Sequence, residues 1–457
     1  MLVSPSLRFS FCFSLRLVRL VRLALVWCLQ TVLLLGFLTH FTNQAECSSS
    51  SACPGLLDKM GDFLSPADGC VVLTGATGFV AGHIAEILLE KGYEVRGTVR
   101  DPSNEGKLAH LKALDARLPG TISFHKADLS SDDPFTEVAK GCVGMLHVAS
   151  PAVFDAKDPE EAILKPAIAG TNSALRAAAA ANMKSVVVTS SVAAVRPVQA
   201  KWDAEAAGEP VSKYTEEDWN DVATLDFGAY PTSKREAERA AHRFVEEQKP
   251  GFKFGTIHFP FAFGPQQNSR VTSSNNYISH LLLGEVPFVV PLCSDIVDVR
   301  DVAGAHVHVL ENDVSGRFIV ANDEEHFMYM SDIAASLKKN FPGFPIPSVT
   351  IPMPALEILA VVDDRISSYE VELARHCPGP RFDGSRLRDS GYVFQHTDVH
   401  ETIREAGQSM IDFKVADGNR HLIPAAYVLI AIPFIVAGLL LWIISRCFFS
   451  GKKVKQN

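Results

Sequence analysis

Between residues 69 and 260, short apolar runs alternate with longer stretches of helical period. The runs are CVVLT (70–74), YEVRGTV (93–99), TISFHKA (121–127), VGMLHVA (143–149), SVVVTSS (185–191) and KFGTIHF (253–259). They are rich in β-branched residues and lack strict alternation, the pattern of strands buried on both faces. GHIAEILLEKG and EEAILKPAIAGTNSALRAAAAANM, lying between them, predict helices. The alternation predicts an α/β fold, a doubly wound parallel sheet over 69–260. After 260 the pattern turns irregular and rich in prolines and aromatics, predicting a smaller lobe over 261–412 with some sheet elements interleaved.

The same pattern sets the two ends apart. LALVWCLQTVLLLGFLTHF (23–41) carries no formal charge and follows four arginines, so residues 1–45 read as a signal peptide or an uncleaved signal-anchor. Residues 46–68 read as a polar linker. LIPAAYVLIAIPFIVAGLLLWIIS (422–445) has 24 uncharged residues, enough to span a bilayer, and a basic tail (446–457) follows it. Both sets of cations flank the apolar runs on their outer sides, which predicts cytoplasmic ends and a body across the membrane. KVKQN at the end resembles the dilysine retrieval signal of endoplasmic-reticulum membrane proteins, so the expected site is that membrane, with a lumenal body.

Composition narrows the partners. The chain has 457 residues, 47% hydrophobic and 21% charged, which suits a folded protein with a sizeable core. Its formal charge of −9 conceals a body (46–445) holding 35 basic and 52 acidic residues, or −17. Such acidity argues against nucleic acid as a partner. Of the nine cysteines, Cys47 and Cys53 are placed to close a small loop in an oxidising lumen. Cys70, Cys142, Cys293 and Cys377 lack CxxC or metal-site spacing and read as buried small apolar residues. No metal site is expected, and His258, His306 and His308 read as packed or solvated side chains.

The first strand runs into a turn with Gly75, Gly78 and Ala81 at GxxGxxA spacing, and a helix leaves it. Gly75 allows the tight turn, Gly78 lets a pyrophosphate approach the backbone, and Ala81 permits close helix–strand packing. In strand–turn–helix context this is a dinucleotide-binding signal. An acid at the tip of the second strand favours NAD; here Arg100 stands there, which favours NADP(H) over NAD(H). Ser191 ends the fifth strand at the ligand-binding edge of the sheet. In AYPTSKREAERAAHRF, a helix predicted to start near Pro231 places Tyr230 and Lys234 on one face, four residues apart.

In combination, TGATGFVAGH, VRGTVRDP, KADLSS, GCVGMLHVASP, VVVTSS, YPTSK and DIVDVRDVAGAH resemble the extended short-chain dehydrogenases/reductases, in particular the dihydroflavonol-reductase-like branch, over about 69–410. The resemblance implies a Rossmann-type domain with a C-terminal substrate-binding lobe. It implies Ser191, Tyr230 and Lys234 as catalytic residues interconverting a small-molecule carbonyl and its alcohol. Tyr230 would pass a proton to the carbonyl oxygen, Lys234 would favour the phenolate and bond the nicotinamide ribose, and Ser191 would hold the carbonyl. It also implies a cofactor cradle of Gly75, Thr77, Gly78, Phe79, Val80, Arg100, Lys107, Asp128, Leu129, Val148, Ala149, Ser150, Tyr230, Lys234 and Pro260.

Two departures put the named substrates of that branch in question. Where flavonoid reductases place a substrate-binding asparagine, five residues after Ser191, this chain has Arg196. It reads first as a surface charge, with recognition of an anionic substrate as the sharper alternative. The tyrosine motif also lacks the NWYCYGK signature of cinnamoyl-CoA reductases. Trp202 and Trp219 read as filling the fold. A nucleotide-sugar epimerase or dehydratase, a hydroxysteroid dehydrogenase and a non-catalytic redox sensor are the competing readings; Arg100 and the intact trio favour a reductase.

Overall fold

The computed structural model describes residues 63–416 except 152–157, 323–325, 363–365 and 380. The apolar runs 23–41 and 422–445, and the Cys47–Cys53 pair, lie outside the described residues. Among the described residues no helix is long and apolar enough to cross a membrane.

Seven strands form the main sheet: β1 (Cys70–Thr74), β2 (Glu94–Val99), β3 (Thr121–Lys126), β4 (Cys142–His147), β5 (Ser185–Thr189), β6 (Lys253–His258) and β9 (Gly316–Ile319). All pair in parallel, in the order β3-β2-β1-β4-β5-β6-β9. The six runs read from the sequence are therefore strands, and β9 is a seventh, drawn from beyond residue 260. Every residue of β1 is buried, as expected of a central strand covered on both faces.

The covering helices include α1 (Phe79–Glu90), α2 (Glu105–Asp115), α3 (Lys165–Ala180), α4 (Ala229–Gln248) and α5 (Val299–Glu311). One core packs Ile84, Leu88, Val302, Ala305 and Val309 against the sheet, and another packs Met145, Leu175, Ala178 and Ala241 on its opposite face. Winding runs outward from β1 to β3, then returns to β4. This reversal makes the β1/β4 crevice the place where ligands of such sheets bind. Residues 63–68, at the end of the segment read as a linker, pack on the body. Leu64 is fully buried, and its N–H donates to Glu311 O at 3.1 Å.

The second lobe holds a small sheet of β7 (Phe261–Phe263), β8 (Cys293–Asp298) and β10 (Phe327–Tyr329), ordered β10-β8-β7. Helices Asn275–Leu283, Met330–Asn340 and Val399–Asp412 bury Ile278, Leu281, Ile333, Leu337, Ile403 and Met410 against it. The DIVDVRDVAGAH stretch joins lobe and sheet. Asp298 caps α5 by accepting from Arg300 N at 2.8 Å, and Thr402 Oγ1 donates to its other oxygen at 2.7 Å.

The reading of four body cysteines as unpaired is corrected. Cys70 and Cys142 stand opposite one another on β1 and β4, with Cα atoms 4.5 Å apart, and form a disulfide. Cys293 on β8 is bonded to Cys377, Cα–Cα 5.9 Å. Both separations suit a disulfide. Pairing across 72 and 84 residues is set by the topology, which a search for short cysteine spacings does not detect.

Candidate active site

Most of the predicted site residues lie just beyond the ends of strands, and the others on helices α1, α2 and α4. Gly75 leaves β1 with φ +66°, a left-handed conformation that glycine adopts without strain. A Cβ there would stand 3.1 Å from the Ala149 Cα, so a side chain would close the cradle against the loop after β4. Gly78 is exposed and caps α1, while Thr77 and Phe79 are half-buried and Val80 is buried. The turn and the start of α1 thus present backbone N–H groups, the arrangement that binds a pyrophosphate.

Arg100 stands exposed just after β2, and Lys107 is exposed on α2. Asp128 and Leu129 follow β3 and are half-buried. Asp128 is held below the usual carboxylate range by the Ser130 amide and hydroxyl, with a smaller contribution from the Arg100 charge. Arg100 therefore lies close enough for its charge to be felt at the adenine side of the expected cradle. Val148, Ala149 and Ser150 are half-buried after β4, and Pro260 is buried between β6 and β7.

Ser191 follows β5 and caps a short 3-10 turn, its Oγ accepting from Ala193 N at 3.1 Å. Tyr230 and Lys234 lie in the first turns of α4, which starts at Ala229, two residues before the proline. The Lys234 ammonium lies 5.8 Å from the Tyr230 ring centroid, so one helical face carries both groups as the spacing predicts. Tyr230 is half-buried and Lys234 is only 9% exposed. Among the described residues, the Lys234 ammonium has no hydrogen-bond acceptor or carboxylate partner. A buried cation without a protein counter-charge suits polar groups delivered by a bound ligand. Together with the glycine turn, it fits a dinucleotide lying over the β1/β4 crevice.

Several supporting residues were not singled out from the sequence. Thr74 Oγ1 accepts from the Val148 and Ala149 amides, both at 3.0 Å, and contacts His147 Nδ1 at 3.0 Å. Burial, reinforced by the Lys234 charge, pushes His147 down to about 3. Ser190 Oγ donates to Glu238 Oε2 at 2.6 Å. Glu238 follows Lys234 by four residues, so the same-face spacing that linked Tyr230 to Lys234 was also available to find it.

Arg196 is half-buried, and the surface-charge reading gives way to a packed one. Its guanidinium lies over the Phe382 ring, 5.7 Å from the centroid. Asn220 Nδ2 and Tyr369 Oη donate to its carbonyl at 2.8 and 3.3 Å. The Tyr369 ring in turn lies close to Gly228 and Phe227, just ahead of Tyr230. Trp202 stacks on His376 at 4.2 Å, and Trp219 lies between Arg317 and Arg239. His258 and His306 are buried and His308 is half-buried, each hydrogen-bonded within the fold.

Comparison with known proteins identifies the family. The profile of the NAD dependent epimerase/dehydratase family matches residues 71–321, and the chain belongs to that family. Cinnamoyl-CoA reductase 1 of Petunia hybrida is 32% identical over 74% of this chain and 91% of its own. Dihydroflavonol 4-reductase of Hordeum vulgare is 31% identical over 72% and 85%. Among solved structures, yeast methylglyoxal/isovaleraldehyde reductase Gre2 complexed with NADPH is similar at a TM-score of 0.59 and 27% identity, covering 76% of this chain and 99% of that one.

Proposed function

We propose that the chain is an NADPH-preferring oxidoreductase that interconverts a ketone or aldehyde and the corresponding alcohol. The observation that carries this reading is the buried Lys234 ammonium beside the Tyr230 ring at the carboxyl edge of the sheet. NADPH, when bound, supplies the hydride that reaches the carbonyl carbon. Tyr230 gives its phenolic proton to the carbonyl oxygen, and the Lys234 charge stabilises the phenolate left behind. Ser191 holds the carbonyl and stabilises charge developing on its oxygen. The glycine turn holds the pyrophosphate, and Arg100 with Lys107 grips the 2′-phosphate. The NADPH complex of the yeast reductase and the reductase names of the relatives support the same assignment.

Tyr230→Phe tests the chemistry. The variant is expected to lose NADPH-dependent carbonyl reduction by about two to four orders of magnitude while binding NADPH as the wild type does. Steady-state rates and fluorescence titration measure the two quantities. Activity equal to wild type would sink the mechanism.

The body is further proposed to face the lumen of the endoplasmic reticulum, anchored by the terminal apolar segments. The flanking cations support that orientation, and the two disulfides within the body suit an oxidising compartment. Protease treatment of intact microsomes is the test: a lumenal body stays protected until detergent is added, and a cytosolic one is degraded at once.

A further inference from the structure

The proposed trio comes from two separate elements, Ser191 from the turn after β5 and Tyr230 with Lys234 from α4. Their relative placement has to be held to a fraction of an ångström, because misplacing reacting groups by about 1 Å costs up to a hundredfold in rate. Ser190 immediately precedes Ser191, and its Oγ donates to Glu238 Oε2 at 2.6 Å. Glu238 lies one helical turn beyond Lys234, on the same face of α4. Ser190 and Glu238 are only 3% and 2% exposed.

The carboxylate is already committed on its other side. Glu238 Oε1 accepts from Arg317 Nε at 2.6 Å and from His258 Nε2 at 2.7 Å. Arg317 is held in turn by the Glu216 and Asp218 carbonyls, and its guanidinium lies 3.8 Å from the Trp219 ring centroid. Burial alone would raise the Glu238 carboxyl. The charges of His258 and Arg317, the hydrogen bond from His258 and the nearby His242 ring outweigh burial and hold it well below its ordinary value. Glu238 is thus a fixed, ionised acceptor anchored to β6 and β9. A hydroxyl donating to a carboxylate at this distance belongs to the strong class of hydrogen bonds.

We propose that Ser190 and Glu238 are positioning residues, a couple that sets Ser191 against the Tyr230–Lys234 face of α4. The proposal rests on the reading of Tyr230 as the acid and Ser191 as the group holding the carbonyl. An ion-pair role for Glu238 in the core would need Arg317 and His258 but not Ser190. The hydroxyl of Ser190 is therefore the discriminating group, and removing it leaves Glu238 still bonded to Arg317 and His258.

The experiment is a double-mutant cycle of Ser190→Ala and Ser191→Ala in the full-length protein. Rates are read with NADPH and the carbonyl that wild type turns over best from a panel of aldehydes, ketones and ketosteroids. NADPH affinity and Tm are measured in parallel. Ser190→Ala is expected to lower kcat about tenfold with NADPH affinity within about twofold of wild type. In the Ser191→Ala background the same change is expected to cost less than about twofold, since the group it positions has gone. Equal losses in both backgrounds, or an unchanged kcat in the single variant, overturn the proposal. Tyr230→Phe run alongside separates this from the functional reading: an active Tyr230→Phe refutes the mechanism, whereas additive serine effects refute the positioning couple alone.

Discussion

Thr74 and His147, at the carboxyl ends of neighbouring strands β1 and β4, share one hydrogen bond whose direction is fixed by its surroundings. Both lone pairs of the Thr74 hydroxyl are taken by the Val148 and Ala149 amides, so its proton goes to His147 Nδ1. His147 is therefore neutral with its own proton on Nε2. The threonine in turn holds the 148–150 loop beneath the Gly75 turn. Thr74→Val keeps the shape but leaves two amides without an acceptor, at a cost of about 1–3 kcal/mol for each amide that stays buried. NADPH affinity is expected to fall about tenfold or more, and Thr74→Ser to restore it. Equal affinities in all three proteins, by fluorescence titration, would remove Thr74 from the cradle.

Stability should decline on the acid side because of histidines that the fold keeps neutral. Burial, with the Lys234 charge, pushes His147 down to about 3. Burial pushes His306 down to about 4, although its bond to the Val302 carbonyl opposes the shift. The unfolded chain takes up these protons as pH falls below about 6.5, and the folded chain does not. Their contribution to stability is therefore complete above about pH 6.5 and shrinks as pH falls toward about 4 and then about 3. Urea midpoints are expected to drop between pH 7 and pH 5, and less steeply in His306→Gln. A midpoint that is flat over that range, or rises, contradicts the neutral assignment.

The body cysteines give a direct chemical readout. Alkylation of the denatured, unreduced protein isolated from the cells that make it is expected to leave Cys70, Cys142, Cys293 and Cys377 unlabelled, and prior reduction to expose all four. Cys70→Ser is expected to lower stability by roughly 2–5 kcal/mol, the range for losing a bond that closes a long loop. Labelling of all four without reductant would show that the body matures in a reducing compartment.

What the sequence made legible follows from the kind of signal each feature leaves. Buried parallel strands are continuous apolar runs, so the six from CVVLT to KFGTIHF could be read directly. Strand β9 is four residues, GRFI, with an arginine whose burial depends on Glu238 and the Glu216 and Asp218 carbonyls, all distant in sequence; its local pattern gives no sign of belonging to the main sheet. The glycine turn and the Tyr230–Lys234 pair are local and keep their spacing in any correct fold. The cysteine pairs, the Ser190–Glu238 bond and the packing of Arg196 on Phe382 join residues 48 to 186 positions apart. They become visible only once strand order is known. Cys70 and Cys142 each open a strand, and the order β2-β1-β4 sets those two openings side by side.

Arg196 offers the sharpest test of substrate class. Its carbonyl is fixed by Asn220 and Tyr369, its guanidinium lies over Phe382, and no carboxylate neutralises it among the described residues. It stands five residues beyond Ser191, and Tyr369 links it to the segment ahead of Tyr230. A half-buried cation held this way carries a desolvation cost that an anionic ligand group would offset. Arg196→Gln keeps much of the side chain's length and polarity and removes the charge. For carbonyls bearing a carboxylate, KM is expected to rise about tenfold to a hundredfold, the scale of one charge-assisted hydrogen-bonded pair. For neutral carbonyls of similar size, KM should stay within about threefold. A parallel change in both series would mean that Arg196 shapes the pocket through Phe382 and does not read substrate charge.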